Sequence, residues 1–267
     1  MKRERLFVDV NQVSFYCELR GEGSLVVLHP DGSNDCGAYE KLADILARHH
    51  RVLSFDPRGS VRSVPQEDLH VTAAMLADDM AGILDVLDLG PAVFFGCSSG
   101  GQAVLNMAYR YPEKCIGTVI HEAALQSDTP LPEAGFRQFA QAETYAPYCN
   151  GFAPGDLMLI GDYDKFQELD AVTRSRMAAN DVYWAQYYIG TADKDSWSAE
   201  QLSRMKNVFF STGVWSSAWI AYANIETARR GGFPHTWLMC AHEPHITCPE
   251  ELAAYIENCI AQCPPEA

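Results

Sequence analysis

A G-x-S-x-G motif, Gly96–Gly100, carries the residue of this sequence best suited to nucleophilic chemistry. It follows a short apolar run, Ala92–Phe95, whose length is typical of a buried strand, and it precedes a helical pattern of apolar residues. In that context the motif predicts a turn so sharp that Ser98 takes a strained backbone conformation, with the two glycines removing side chains that would collide across it. Ser98 is therefore the predicted nucleophile, and the side chain of Cys97 is expected to point away from the pocket.

A serine hydroxyl at neutral pH is a poor nucleophile, so the sequence must also supply a base and a group that orients this base. With this motif the expected chain order is serine, acid and histidine, and the histidine should follow the last strand. Two histidines do so, in the stretch 239–245. We favour His242 as the base because it comes first in that loop, and His245 is its competitor.

The acid is expected after the strand near residues 207–213, but no carboxylate follows there until Glu226, deep in a predicted helix. Glu122 ends the strand that follows the helix of the motif, from where its carboxylate can reach the same imidazole. An isolated buried charge is costly, so an acid at the end of a buried strand needs a partner. Glu122 is therefore the predicted acid. Asp31 and Asp56, also at strand ends, are alternatives that we expect to brace their own turns.

Acyl transfer also needs two backbone N–H donors for the oxyanion of the tetrahedral intermediate. The residue after the nucleophile supplies one of them, which predicts the N–H of Ser99. The loop after the third strand supplies the other, and there the sequence Pro30-Asp31-Gly32 predicts the N–H of Gly32. Gly32 also fits a simple turn, and the two roles are compatible.

These residues lie near strand ends in a chain whose apolar patterns alternate between strand and helix. Residues 6–10 and 13–19 alternate like the two strands of an antiparallel hairpin. Buried strands are predicted afterwards at 25–28, 52–55, 92–95, 115–121, 208–210 and 235–239. Helical patterns separate or follow them at 39–46, 71–89, 104–111, 216–229 and 249–260. This alternation predicts βαβ units and an α/β fold with a mostly parallel central sheet flanked by helices.

The alternation breaks between residues 123 and 198. Prolines interrupt short helical patterns there, and tyrosine and tryptophan are frequent. We predict that 123–198 is a helical lid inserted into a single α/β core domain, which is formed by 1–122 and 199–267.

Composition excludes several other classes of protein. The chain has 267 residues, is 48% hydrophobic and carries a net charge of −15, which supports a sizeable core and argues against a nucleic-acid partner. The N-terminus lacks the apolar region of a signal peptide, and no apolar run is long enough to span a membrane. The nine cysteines show no C-x-x-C pair, which indicates reduced thiols in the cytoplasm and no metal site. No cofactor is expected, and a homodimer is left open.

On these residues the chain resembles the α/β-hydrolase superfamily, and within it the lactonases that open the macrocyclic ester of the mycotoxin zearalenone. The narrower resemblance rests on the motif Gly96–Gly100, His121-Glu122, Pro30-Asp31-Gly32, Phe55-Asp56, the His242 loop with Pro244 and Pro249, and Tyr183-Trp184-Ala185. It implies a substrate-binding role for Trp184 and a function in mycotoxin detoxification. Glu243 and most of the predicted lid depart from the pattern of the group.

The resulting interpretation is a cofactor-independent serine hydrolase for a small hydrophobic aromatic ester or lactone, in particular a resorcylic acid macrolactone such as zearalenone. A lid rich in tyrosine and tryptophan suits that substrate because these rings combine flat apolar faces with polar tips. The predicted substrate contacts are Asp31, Leu131, Phe136, Trp184, Tyr187 and Tyr188. The alternatives are a general carboxylesterase, a carbon–carbon bond hydrolase, and a non-catalytic ligand receptor of the same fold.

Overall fold

The computed structural model describes residues 2–67, 70–125, 161–189, 191 and 195–264, which form an eight-stranded sheet with helices on both faces. The strands are β1 (Arg3–Val10), β2 (Val13–Arg20), β3 (Leu25–His29), β4 (Arg51–Phe55), β5 (Ala92–Cys97), β6 (Cys115–His121), β7 (Val208–Gly213) and β8 (His235–Leu238). Their order across the sheet is β1-β2-β4-β3-β5-β6-β7-β8. Strand β2 pairs antiparallel with β1 and β4, and the remaining pairs are parallel. The predicted mostly parallel sheet is confirmed.

The helices follow the predicted alternation with the strands. They are α1 (Glu40–Leu46), α2 (Ala73–Val86), α3 (Ser98–Arg110), α4 (Tyr163–Glu168), α5 (Ala171–Tyr187), α6 (Ala199–Leu202), α7 (Ala218–Gly231), α8 (Pro244–Thr247) and α9 (Pro249–Gln262). Within the described part of the chain, no helix is both long and apolar enough to cross a bilayer.

The N-terminal hairpin forms as predicted. Strands β1 and β2 pair from Arg3–Arg20 to Val10–Val13, and only Asn11 and Gln12 connect them. Both connecting residues have positive φ, 46° and 64°, as a two-residue turn that follows the twist of the strands requires.

The apolar core is divided by the sheet into two layers. On one face α1 and α9 bury residues such as Leu42, Leu46 and Ile256 against the strands. On the other face α2, α3 and α7 bury residues such as Met80 and Val104. Because both faces are covered, the carboxyl edge of the sheet is where residues at strand ends can meet a ligand.

Two strands continue beyond the apolar runs that predicted them. Strand β5 extends through Cys97 because Gly96 and Cys97 still pair with the end of β6. Strand β7 extends to Gly213 because its last residues pair with β8. Pairing with the neighbouring strand therefore extends both β5 and β7 further towards the carboxyl edge of the sheet than their apolar residues alone indicate.

Helices α4 and α5 lie between β6 and β7 in the chain, inside the predicted lid segment. Helix α5 begins after Asp170, whose side chain accepts hydrogen bonds from the N–H groups of Val172 and Thr173. Two predicted substrate contacts, Leu131 and Phe136, lie outside the described residues.

Candidate active site

Ser98 begins α3 directly after β5, in a left-handed conformation (φ 52°) that residues with a side chain rarely adopt. The flanking glycines are sterically required. A Cβ at Gly96 would run into the Gly100 carbonyl group, and a Cβ at Gly100 would lie 2.6 Å from the carbonyl oxygen of His29 in β3. Ser98 is partly exposed while its two neighbours are buried. The predicted sharp turn is confirmed, and it leaves Ser98 accessible at the carboxyl edge of the sheet.

His242 and Glu122 meet in space although they are 120 residues apart in the chain. His242 Nδ1 lies 2.7 Å from Glu122 Oε2, and both side chains are buried. The Sγ of Cys97 lies 3.1 Å from the His242 carbonyl oxygen and donates to it, so the residue before Ser98 lies against the histidine loop. With Nδ1 donating to the carboxylate, Nε2 is the imidazole nitrogen left to accept a proton.

The end of β7 is hydrogen-bonded to Glu122, the residue that follows β6. Glu122 turns away from the strand with φ 46°, and its Oε1 accepts a hydrogen bond of 2.7 Å from the N–H of Gly213, the last residue of β7. Burial alone would raise the pKa of Glu122, but the hydrogen bond from His242 and the electrostatic interactions with His121 and His242 outweigh it. The net pKa of Glu122 therefore lies below its ordinary value. The carboxylate is charged at neutral pH and bridges the ends of two strands.

His245, the competing histidine, has a different environment. Its ring stacks on Tyr39 with 3.9 Å between centroids, and its Nε2 is 3.9 Å from Asp31 Oδ1, beyond hydrogen-bond reach. Among the described residues neither ring nitrogen has a hydrogen-bond partner. Burial lowers the pKa of His245 to about 4, so the ring is neutral at pH 7. Of the two histidines, His242 is the one whose ring is hydrogen-bonded to a carboxylate.

Asp31 braces its own loop, as expected from the sequence, whereas Asp56 binds both its own loop and the loop after β3. Asp56 accepts hydrogen bonds from Arg62 Nε at 2.7 Å and from the N–H of Cys36 at 3.1 Å. Asp31 Oδ1 accepts a hydrogen bond from Asn34 Nδ2 at 2.5 Å. A contact between Asp31 and a substrate stays a prediction.

The two predicted oxyanion donors are adjacent in the structure. Ser99 lies in the first turn of α3, and its Oγ accepts a hydrogen bond of 3.0 Å from the N–H of Gly32. The loop after β3 and the N-terminus of α3 therefore come together beside Ser98. An oxyanion bound here would have to displace the Ser99 hydroxyl from the Gly32 N–H.

One set of potential metal ligands occurs among the described residues: one ligand atom each of Asp31, Cys97 and His242 lie within 4.8 Å of one another. Burial, followed by the charge of Asp31, raises the pKa of Cys97 well above its ordinary value, whereas metal ions bind the thiolate. The thiol and His242 Nδ1 already donate to protein acceptors. These residues fit a hydrogen-bonded cluster better than a metal site.

The aromatic residues predicted to contact substrate lie at the end of α5. The Trp184 indole covers Gly32, since a Cβ on this glycine would be 3.3 Å from the indole ring. Tyr188 is buried, and its hydroxyl donates to the Arg58 carbonyl oxygen at 2.6 Å. The Tyr187 ring packs 4.4 Å from the ring of Tyr183. Trp184 thus lies beside the predicted oxyanion loop, and the substrate contacts of all three stay predictions.

The sequence did not indicate the polar contacts that join α5 to the loop after β3. Arg176 forms an ion pair with Asp35 (2.5 Å), and the Asn180 side chain donates to the Ser33 carbonyl oxygen (3.1 Å). The one signal in the sequence is the four-residue spacing of Arg176, Asn180 and Trp184, which places them on one face of a helix. That spacing does not name the partners of Arg176 and Asn180, which lie 141 and 147 positions away in the chain.

Three buried histidines near the carboxyl edge predict that acid destabilises the fold. Burial lowers the pKa of His29, His121 and His245 to about 4 each, from 6.5. The unfolded chain therefore binds more protons between these values, and the free energy of unfolding falls as the pH drops through this window, by roughly 1 kcal/mol per pH unit for each ring. Urea unfolding at about pH 7 and about pH 5 measures this effect.

The matched variants are His245→Asn, which removes one of the three rings and should make the pH dependence about one third less steep, and His49→Asn at an exposed position, which should keep the wild-type slope. A free energy of unfolding that is constant across the window in the wild type would contradict the prediction.

The comparison with known protein families agrees with the fold described above. The model of the alpha/beta hydrolase fold family matches residues 25–214, from β3 to just beyond β7. The chain belongs to the α/β-hydrolase family. The prediction of a hydrolase is thereby confirmed at the level of the family, and this α/β hydrolase carries the expected strand–turn–helix motif at Ser98.

Two relatives and one solved structure are similar to this chain over most of its length. This α/β hydrolase is 27% identical over 251 residues to a zearalenone hydrolase of Bionectria ochroleuca, covering 92% of this chain and 93% of that protein. It is 26% identical over 248 residues to a zearalenone hydrolase of Cladophialophora bantiana, covering 91% of each. Among solved structures, an enol-lactonase from Burkholderia xenovorans LB400 superposes with a TM-score of 0.74 at 19% identity, over 96% of this chain and 100% of that one, which shows the shared fold.

Proposed function

We propose that this α/β hydrolase is a serine hydrolase of hydrophobic esters and lactones, and that its preferred substrate is a resorcylic acid macrolactone such as zearalenone. The observation that carries the proposal is the 2.7 Å contact between His242 Nδ1 and the buried, charged Glu122. It gives the base a fixed orientation, and the residue before Ser98 contacts the same histidine through the hydrogen bond from Cys97 Sγ to the His242 carbonyl oxygen. The similarity to two zearalenone hydrolases over more than nine-tenths of the chain supports the choice of substrate.

In the proposed mechanism, Ser98 attacks the lactone carbonyl while His242 Nε2 accepts the hydroxyl proton. Glu122 stabilises the imidazolium that forms, because its Oε2 already accepts the hydrogen bond from Nδ1. The N–H groups of Gly32 and Ser99 then bind the oxyanion, with Gly32 exchanging the Ser99 hydroxyl for the charged oxygen. His242 returns its proton to the leaving alkoxide. Opening the ring gives an acyl-enzyme whose alcohol stays attached to the acyl group.

Water, deprotonated by His242, then releases the acyl group from Ser98. One carboxylate oxygen of the product comes from this water, and the product equals the substrate plus one water. The Trp184 indole over Gly32 gives a flat apolar surface beside the reacting carbonyl, which suits the aromatic ring of a resorcylic ester.

The free thiols of the described residues support a reducing, cytoplasmic location.

We expect the purified protein to convert zearalenone into a single product that is heavier by one water. Mass spectrometry in ordinary water and in water enriched in oxygen-18 checks this result, because an acyl-enzyme route places the label in the carboxylate.

The variant Trp184→Ala should raise KM for zearalenone while leaving KM for p-nitrophenyl acetate within about twofold, since a small acetate needs little of the indole surface.

Other outcomes would favour the alternative functions. Sustained hydrolysis of p-nitrophenyl acetate with zearalenone unchanged would indicate a general carboxylesterase. A single slow burst with either compound would indicate a ligand receptor of the same fold.

A further inference from the structure

One face of α5 rests on the loop that carries the proposed oxyanion donor Gly32. Arg176, Asn180 and Trp184 are spaced four residues apart, so their side chains leave the helix on the same side. All three contact the loop at positions 32–35: Trp184 covers Gly32, Asn180 binds Ser33 and Arg176 binds Asp35. A single helix face thus contacts three of the four loop residues 32–35.

Of the polar contacts between α5 and the loop, the one made by Asn180 lies nearest to Gly32 in the chain. Its side chain is 3% exposed, its Nδ2 donates to the Ser33 carbonyl oxygen at 3.1 Å, and its Oδ1 accepts from the N–H of Val61 at 2.8 Å. The amide therefore joins two separate loops of the core to α5. Ser33 follows Gly32 directly, so the orientation of its peptide group constrains the backbone of the donor.

Arg176 fixes the other end of the loop. Its Nε lies 2.5 Å from Asp35 Oδ2 and its Nη2 lies 3.1 Å from Oδ1, a two-pronged contact that sets both position and orientation. Asp35 is fully buried and also accepts a hydrogen bond from the N–H of Gly37 at 2.8 Å. Burial lowers the pKa of the Arg176 guanidinium, but its hydrogen bonds and charge attraction to Asp35 outweigh that effect and raise it overall.

Gly37 shows that the close approach of α5 is built into the loop. A Cβ at this position would run into the Arg176 guanidinium and lie 2.7 Å from Thr173 Oγ1. The loop therefore has no side chain where the helix crosses it. Helix and loop form one packed unit, connected by two polar contacts and the indole.

We propose that Asn180 and Arg176 are positioning residues for the oxyanion hole, so that the Gly32 N–H is correctly aimed only while α5 is docked on the loop. This inference rests on the proposed serine-hydrolase function. Its physical basis is that an oxyanion-hole donor acts on the transition state, where a displacement of about 1 Å costs on the order of 100-fold in rate. The predicted consequence is a loss in kcat rather than in substrate affinity.

The test uses p-nitrophenyl acetate, a substrate too small to need the aromatic surface of α5. We expect Asn180→Ala to lower kcat by about 10- to 100-fold with KM within about twofold, because the donor is misaligned while the ground state binds as before. The pH–rate profile should keep its shape, since Glu122 and His242 are untouched. The milder Arg176→Lys keeps a charge next to Asp35 and should give a smaller kcat loss with the same unchanged KM.

A second readout separates positioning from general destabilisation. Phenylboronic acid forms a tetrahedral adduct with an active-site serine, and its inhibition constant should rise by the same factor as kcat falls. The matched control is Asn106→Ala, which removes another buried side-chain amide. This amide donates to the Gln102 carbonyl oxygen and to Asp195 (2.8 Å), and neither partner lies in the loop 32–35. It should lower the melting temperature while leaving kcat within about twofold.

The proposal is overturned if Asn180→Ala keeps the wild-type kcat, if it changes only KM, or if Asn106→Ala loses as much kcat. Failure of the underlying function is recognised separately, because in that case Ser98→Ala would still hydrolyse the acetate.

Discussion

Replacing Ser98 with alanine is expected to abolish hydrolysis of zearalenone and of p-nitrophenyl acetate, with kcat falling by on the order of 10⁶-fold. The reason is that the acyl-enzyme cannot form without the hydroxyl, and neighbouring groups offer no equivalent. Cys97 is fully buried and protonated, with its Sγ donating to the His242 carbonyl oxygen. Steady-state kinetics and burst kinetics of the variant measure the loss.

Two controls accompany this variant. A fluorophosphonate probe should label the wild type and fail to label Ser98→Ala, while thermal unfolding shows that both are folded. Alanine also suits the left-handed φ of 52° less well than glycine, so Ser98→Gly provides a second inactive variant with less backbone strain. Unchanged turnover in either variant would contradict the assignment of the nucleophile, and inactivation of the wild type by iodoacetamide would point to a thiol.

The sequence predicted the elements around Ser98 because local steric rules determine them. The contact that requires Gly96 lies within the turn itself, against the Gly100 carbonyl group, so a short motif can reveal it. The hairpin turn at Asn11 and Gln12 is predictable for the same reason. Strand ends were less predictable, because the extension of β7 to Gly213 depends on pairing with β8 rather than on hydrophobicity.

Long-range polar contacts were largely beyond sequence reasoning. The pairing of Asp35 with Arg176 joins residues that are 141 positions apart, and neither residue type nor spacing names its partner. The hydrogen bond from the Gly32 N–H to the Ser99 hydroxyl is equally invisible in the sequence. The contact between Glu122 and His242 is an exception, because no carboxylate follows β7 and Glu122 follows β6, its neighbour in the sheet.

The end of β7, which has no carboxylate of its own, binds the carboxylate of Glu122. At the end of β7 the N–H of Gly213 donates to Glu122 Oε1, so the strand that lacks an acid binds the carboxylate of its neighbour. Oε2 of the same carboxylate lies 2.7 Å from His242 Nδ1. Both oxygens of Glu122 therefore have defined partners, and a change in their chemistry should affect the imidazole directly.

We expect Glu122→Gln to lower kcat by about 10⁴-fold while preserving the fold. The glutamine carbonyl can still accept from the N–H of Gly213, so the strand ends stay connected. Its amide N–H₂, placed against His242 Nδ1, favours the tautomer with the proton on Nε2. That proton occupies the nitrogen that must accept the hydroxyl proton of Ser98, and the neutral amide no longer stabilises an imidazolium. Kinetics with p-nitrophenyl acetate measure the loss without involving the larger substrate.

The matched control is Glu243→Gln, because Glu243 is also buried and directly follows His242 in the chain. Its Oε1 lies 3.4 Å from Asn34 Nδ2, an interaction with the loop after β3. Since Glu122 already occupies Nδ1 of His242, the control should lose less than about 10-fold in kcat. The variant Glu122→Asp, which keeps the charge on a shorter side chain, should fall between the two. Equal losses in Glu122→Gln and Glu243→Gln would contradict the role of Glu122, since orientation of the imidazole would then depend on the loop as a whole and not on this carboxylate.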